Sequence, residues 1–127
     1  MDFQLDNNLP IWPQLLERLT ERILTRHYPP GSKLPSVREL ALEAGVNPNT
    51  MQRALAQLEA NGLVTTNRTA GRVVTEDEAI LTATRRRLAQ ERIAQFFSGM
   101  AKIGYGEEEA AALIAERKET EHGTEPD

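Results

Sequence analysis

Residues 29–74 read PPGSKLPSVRELALEAGVNPNTMQRALAQLEANGLVTTNRTAGRVV, and local chemistry divides this stretch into elements. Pro29-Pro30-Gly31 stops whatever helix precedes it, through a fixed φ and glycine freedom. Ser36-Val37-Arg38-Glu39 is a capping box, in which the serine hydroxyl and the glutamate carboxylate each satisfy a backbone N–H left over at a helix start. Val37, Leu40 and Ala41 supply the inward face of that helix, and Gly45 is the turn residue after it. Asn47-Pro48 opens a second helix, with Asn47 as N-cap and Pro48 at the first helical position, where the absent N–H costs nothing. Ala54, Leu55 and Leu58 form its buried stripe, and Gly62 closes it in the left-handed conformation. Leu63–Thr66 and Arg72–Thr75 are short β-leaning runs joined by Asn67-Arg68-Thr69-Ala70-Gly71, a hairpin with a polar tip. Helix, tight turn, helix and hairpin make a winged helix-turn-helix, a shape that lays its second helix in the major groove of DNA.

Upstream, Met1–Leu9 reads as a flexible lead-in. A helix is expected from Pro10 to Arg26, with Ile11, Leu15, Leu16, Leu19 and Ile23 at helical spacing on its buried side. Downstream, Thr75-Glu76-Asp77-Glu78 is a second helix-start signal. The helix after it is expected to reach Ile103, with Ile80, Leu81, Leu88, Ile93, Phe96, Phe97 and Met100 on its apolar side. Gly104-Tyr105-Gly106 breaks it, and a last helix over about Glu107–Arg117 carries Ala110, Ala111, Leu113 and Ile114. The fold class is therefore mainly α with one small β-hairpin. The expected organisation is a DNA-binding domain over residues 1–75, a two-helix dimerisation region over 76–118 and a disordered polar tail over 119–127.

The chain has 127 residues, 39% hydrophobic and 27% charged, as a soluble globular protein has. It contains no cysteine, which excludes disulfides, thiolate metal sites and a thiol nucleophile. The N-terminus lacks the basic start and apolar run of a signal peptide, and no stretch approaches a membrane span, so a cytoplasmic protein is expected. The net charge of −4 is unevenly spread. Residues 1–75 hold eight Lys/Arg against seven Asp/Glu, residues 76–127 seven against twelve, and residues 33–72 five against three. A phosphate backbone responds to the local face rather than to the sum. An excess this small implies modest non-specific binding per protomer and a need for two protomers.

The second helix of the motif presents Asn47, Asn49, Thr50, Gln52 and Arg53 at its N-terminal end, the end that reaches base edges. Amides pair with adenine and arginine with guanine. Arg38 stands on the first turn of the preceding helix, behind the Ser36 cap, where a cation reaches base or backbone. Arg68 and Arg72 bracket the hairpin tip beside Gly71. Arg53 has a second reading, as a partner within the domain.

These residues resemble the DNA-binding domain of the GntR family of bacterial transcription regulators. The resemblance covers about residues 9–75, carried by PPGSKLPSVRELALEAGVNPNTMQRALAQLEANGLV and, upstream, by Pro10-Ile11-Trp12-Pro13-Gln14-Leu15. It implies that Arg38 contacts DNA, that Asn49 and Thr50 lie near bases or phosphates, and that Arg68 and Gly71 belong to the wing. Two positions depart from it, Pro48 standing where many members carry arginine or another polar residue and Gln52 where arginine is the frequent counterpart, so a different operator is expected. By length and helix count the C-terminal part resembles the YtrA-type subfamily, in which two helices replace a large effector domain. That likeness implies targets such as a nearby transporter operon and the protein's own promoter.

Phe96 and Phe97 point about 100° apart on a helix, so one small contact cannot bury both. With Leu81, Leu88, Ile93, Met100, Leu113 and Ile114 they predict a homodimer interface, since monomers rarely tolerate such a patch. A two-fold dimer offers two recognition helices to a palindromic operator. The expected function is a sequence-specific regulator, a repressor, with double-stranded DNA and a second copy as partners. The alternative is a winged-helix protein-interaction module that binds no DNA. No effector pocket is recognisable, and an inducer would act at the dimer interface or where the fourth helix meets the wing. Arg85-Arg86-Arg87 spans too wide an arc for one face and reads as solvated surface or as pairing to the acidic last helix. Glu107-Glu108-Glu109 supports a helix start. His27 and His122 are far apart, so neither metal nor other cofactor is expected. Trp12 reads as a packing residue. No catalytic triad, carboxylate pair or phosphate loop is present, which sets enzymes aside.

Overall fold

The computed structural model describes residues 3–124, and side chains as far as residue 120. In chain order the elements are α1 (Ile11–Leu24), α2 (Val37–Ala44), α3 (Pro48–Ala60), β1 (Val64–Asn67), β2 (Gly71–Val74), α4 (Glu78–Lys102) and α5 (Glu107–Thr124). The chain divides into two units, Met1–Thr84 and Arg85–Asp127.

In the first unit the caps predicted at Ser36, Gly45 and Asn47 are formed, whereas α4 is capped by Asp77, whose Oδ1 accepts the Ala79 N–H at 2.9 Å, and Thr75 Oγ1 accepts the Asp77 N–H at 3.1 Å instead of capping the helix as a box. Ser36 Oγ accepts the Glu39 N–H at 3.1 Å, and Glu39 Oε1 accepts the Ser36 N–H at 3.1 Å. Gly45 ends α2 at φ +69, and Asn47 Oδ1 accepts the Asn49 N–H at 2.8 Å ahead of Pro48. Met51, Ala54, Leu55 and Leu58 turn one side of α3 inward, where they join Leu15, Leu19 and Ile23 of α1 and Leu40 and Ala41 of α2 in one core. The opposite side of α3 is left open to solvent.

The hairpin pairs antiparallel from Val64↔Val74 to Asn67↔Gly71. Its three-residue tip is held by Asn67 Oδ1, which accepts the N–H groups of Thr69 and Ala70. Gly71, at φ +84, takes the left-handed position that such a tip requires. An isolated bridge adds to this two-stranded sheet: Lys33 bridges Val73, the Leu34 N–H donates to Arg72 O, and the Val74 N–H donates to Ser32 O. After the turn at Gly31, Ser32–Leu34 has no alternating pattern of its own, and it is held against the exposed edge of β2 by these bonds.

Three expectations are corrected, and one residue that the sequence does not single out is buried. The lead-in is not loose: Phe3 is buried in the core, and Gln14 accepts the Asp6 N–H while donating to the carbonyls of Asp6 and Pro10. Arg22, in the last turn of α1, lies inside the domain at 1% exposure. The first unit continues past Thr75 to Thr84, because Ile80 and Leu81 pack on the same core. Leu81 is therefore spent inside its own domain and drops out of the set expected at a dimer interface. Finally α5 runs to Thr124, so the polar segment from Glu119 is helical at least that far, and residues 125–127 lie outside the described residues, as does the His122 side chain.

Arg22 is stabilised as a cation despite its burial. Its guanidinium stands 4.0 Å over the Phe3 ring, and it donates to Tyr28 Oη and to Glu43 Oε2, each at 2.6 Å. Burial disfavours its charge, but these two bonds outweigh that cost and its pKa is raised. The same Arg22 hydrogen bond holds the Glu43 carboxyl below its ordinary 4.5. A carboxylate depressed in the folded state adds stability above its unfolded pKa, and that stability is lost as pH falls through the folded value. Melting temperature should therefore fall more between pH 5 and about 3 in the wild-type protein than in Glu43→Gln. Glu39, lowered by the Ser36 N–H bond, titrates in both proteins, so the difference between the two melting curves isolates Glu43. Parallel curves would refute the assignment.

The second unit has almost no interior. Among its residues with described side chains, Ala110 alone is buried. Ile93 is 55% exposed, Phe96 42%, Leu113 36% and Ile114 45%, while Leu88, Phe97 and Met100 are half-buried. Phe96 and Phe97 meet edge to face, their centroids 5.3 Å apart. Arg87 pairs with Glu91 along its own helix at 3.0 Å. At the start of α5, Glu109 Oε1 accepts the Gly106 N–H at 3.0 Å, so the acidic triplet serves a helix start as expected. No helix among the described residues is long and apolar enough to cross a membrane.

Candidate nucleic-acid interface

The capping box fixes where α2 begins, and so places Arg38 on its exposed first turn. Arg38 makes no hydrogen bond or ion pair with the described residues. It borders a shallow concavity of about 450 Å³ with Ala41, Leu42, Gly45, Val46 and Pro48. Sequence reasoning overlooked Leu42, which is 86% exposed one turn beyond Arg38. The helical spacing of Val37, Leu40 and Ala41 leaves Leu42 off the inward face, and that spacing is the signal that marks it as exposed.

Gly45 and the Asn47 cap then set the direction of α3. Asn49, Gln52 and Arg53 lie on its exposed side, and Thr50 is half-buried. The amide groups of Asn49 and Gln52 have no partner among the described residues. Arg53 does have one: its guanidinium stands 4.5 Å over the ring of Trp12 on α1. Arg53 is exposed as well as stacked, so both of its readings hold, and the Trp12 ring packs against this cation. Asn47 has its side-chain oxygen committed to the cap, and the Ser36 hydroxyl is engaged likewise.

The wing carries Arg68 exposed at its tip. Arg72 turns the other way: its Nε is 3.8 Å from Glu59 Oε1 at the end of α3, and Thr66 donates a hydrogen bond to the same oxygen. The half-buried Arg72 therefore ties the wing to α3 instead of extending from the tip. Lys33, which sequence reasoning also passed over, is exposed beside the wing, its Cε 3.6 Å from where a Cβ on Gly71 would stand. Only the pairing of Gly31–Leu34 with β2 brings it there.

The first unit thus presents Arg38 on α2, the Asn49 and Gln52 amides on α3, and Arg68 and Lys33 on the wing, all exposed. Cations flanking a row of free amides can hold a phosphate backbone while the amides meet base edges.

Residues 13–74 match the profile of the family described as bacterial regulatory proteins, gntR family. Over 109 residues, 86% of this chain and 90% of the relative, the chain is 36% identical to the uncharacterized HTH-type transcriptional regulator YhcF of Bacillus subtilis. It is 39% identical over 71 residues to the HTH-type transcriptional repressor YtrA of the same species, spanning 56% of this chain and 55% of that protein. Among solved structures, a GntR family transcriptional regulator from Listeria monocytogenes superposes with a TM-score of 0.79 at 36% identity, covering 88% of this chain and 98% of that one.

Proposed function

The chain belongs to the gntR family of bacterial regulatory proteins and is a transcriptional regulator with that family's DNA-binding domain, and on that footing we propose that it is a homodimeric repressor of a palindromic operator. In this reading α3 enters the major groove, Arg38 contacts a base or phosphate beside it, and Arg68 and Lys33 hold the backbone or minor groove. The observation that carries the DNA contact is the set of exposed cations on α2 and the wing around the α3 amides, which have no partner among the described residues.

Dimerisation is supported by the second unit. A unit that buries only one alanine among its described side chains, while exposing Ile93, Phe96, Leu113 and Ile114, needs a partner to remove that surface from water. Residues 85–118 would supply the interface, with Leu88, Phe97 and Met100 at its margin. Two copies double the phosphate contacts of a weakly basic module and match a two-fold operator. Repression is the sign borne by the similar YtrA of B. subtilis. Release would follow from any change in the spacing of the two α3 helices, including one imposed by a ligand at the dimer interface.

Footprinting on the region upstream of the chain's own gene, followed by anisotropy titrations at several salt concentrations, tests this reading. The expected result is a two-fold symmetric footprint, with log affinity falling against log salt at a slope of about −0.9 per neutralised phosphate. Sedimentation equilibrium should give a dimer at micromolar concentration. A stable monomer, or binding that ignores both sequence and salt, would overturn the proposal. The second outcome would favour a protein-interaction module.

A further inference from the structure

The base chemistry displayed by α3 is restricted. Pro48 has neither an N–H nor a polar side chain. Asn47 spends its side-chain oxygen on the helix cap, and Arg53 is stacked on Trp12. Further along, Gln57 donates to Asn61 at 2.9 Å. Apart from Arg53 on its Trp12 ring, two exposed hydrogen-bonding side chains without a partner among the described residues remain near the start of the helix, Asn49 and Gln52, and both are carboxamides. They stand three residues apart on one side of α3, about 4.5 Å along its axis, close to the ~3.4 Å step between base pairs.

A carboxamide offers one donor beside one acceptor. Adenine presents the complement in the major groove, an N7 acceptor beside an N6 donor. Guanine presents two acceptors, N7 and O6, so one side of the amide would face a group it cannot bond. We infer that Asn49 and Gln52 make α3 a reader of A·T pairs, at two neighbouring positions of each half-site. This rests on the proposed insertion of α3 into the major groove, and adds to it the class of base that is read.

The test selects bound sequences from a random duplex library with the full-length protein, and then with Gln52→Arg and Asn49→Ala. Both side chains are exposed and unpartnered, so both variants should keep the wild-type circular dichroism spectrum. Wild type should select A·T at two neighbouring positions per half-site. Placing G·C at either should weaken wild-type binding by about 5- to 150-fold. Gln52→Arg should switch one of the two positions to G·C, and Asn49→Ala should flatten the preference at the other. A wild-type half-site with G·C at the positions these variants alter would overturn the inference and leave operator binding intact. So would a Gln52→Arg selection identical to that of wild type. Failure of wild type to enrich any sequence would overturn both this inference and the proposed function.

Discussion

Arg38→Ala is expected to lose specific operator binding while the protein melts at its usual temperature. The two halves of this result have separate physical causes. Arg38 is exposed on the first turn of α2 and holds no hydrogen bond or ion pair with the described residues. Its removal should therefore shift stability by no more than about 0.5 kcal/mol, as surface substitutions do. On DNA, a bidentate arginine contact contributes about 1–3 kcal/mol. A two-fold dimer applies the loss twice, so affinity should drop on the order of 10- to 10⁴-fold. Anisotropy on a footprinted operator measures the loss, and a thermal melt supplies the control. Affinity within twofold of wild type would remove Arg38 from the interface. A guanidinium that reads bases also differs from one that only meets phosphates: in the first case Arg38→Lys relaxes preference at one base pair, and in the second it weakens all sequences evenly.

Arg22→Ala should do the reverse, lowering stability before it touches DNA. The side chain is 1% exposed and serves three groups at once: the Phe3 ring, the Tyr28 hydroxyl and the Glu43 carboxylate. Removing it leaves a cavity under Phe3 and a buried hydroxyl short of a donor, while Glu43 is exposed enough to be solvated by water. The combined cost should be about 2–4 kcal/mol. In a unit of this size that corresponds to a fall in melting temperature of about 10–30 °C. Glu43→Gln keeps a hydrogen-bond acceptor for Arg22 and should cost far less. Equal losses in the two variants would mean that the ion pair, rather than packing around the guanidinium, carries the stabilisation. Because α1 packs against α3, the lead-in that covers Arg22 also bears on how firmly the recognition helix is seated.

The sequence was most legible where structure is decided locally. The capping box at Ser36, the Asn47-Pro48 start of α3, the left-handed Gly45 and the polar hairpin tip each depend on a few adjacent residues, and each could be read without knowing the fold. The buried stripes of α1 and α3 were legible for a related reason, since helical spacing is itself a record of which side faces the core. The exposed amides of α3 followed by subtraction from that stripe. Less was legible wherever a side chain answers to something distant. Arg72 reads as an outward cation until Glu59 is seen beneath it, and Lys33 reads as a loop residue until its segment pairs with β2.

Taken alone, the amino-acid order settled the elements, their caps, the winged helix-turn-helix and the polar character of the α3 start, because these follow from contacts within a few residues of chain. Tertiary structure decided how the charges are used: Arg22 drawn inside under Phe3, Arg72 bound to α3, Arg53 laid on Trp12, and Arg38 left without a partner among the described residues. It also assigned Leu81 to the domain core and left Ile93 and Phe96 uncovered. The physical reason is that burial and ion pairing depend on which elements meet, and these partners lie from 13 to more than 40 residues apart in sequence.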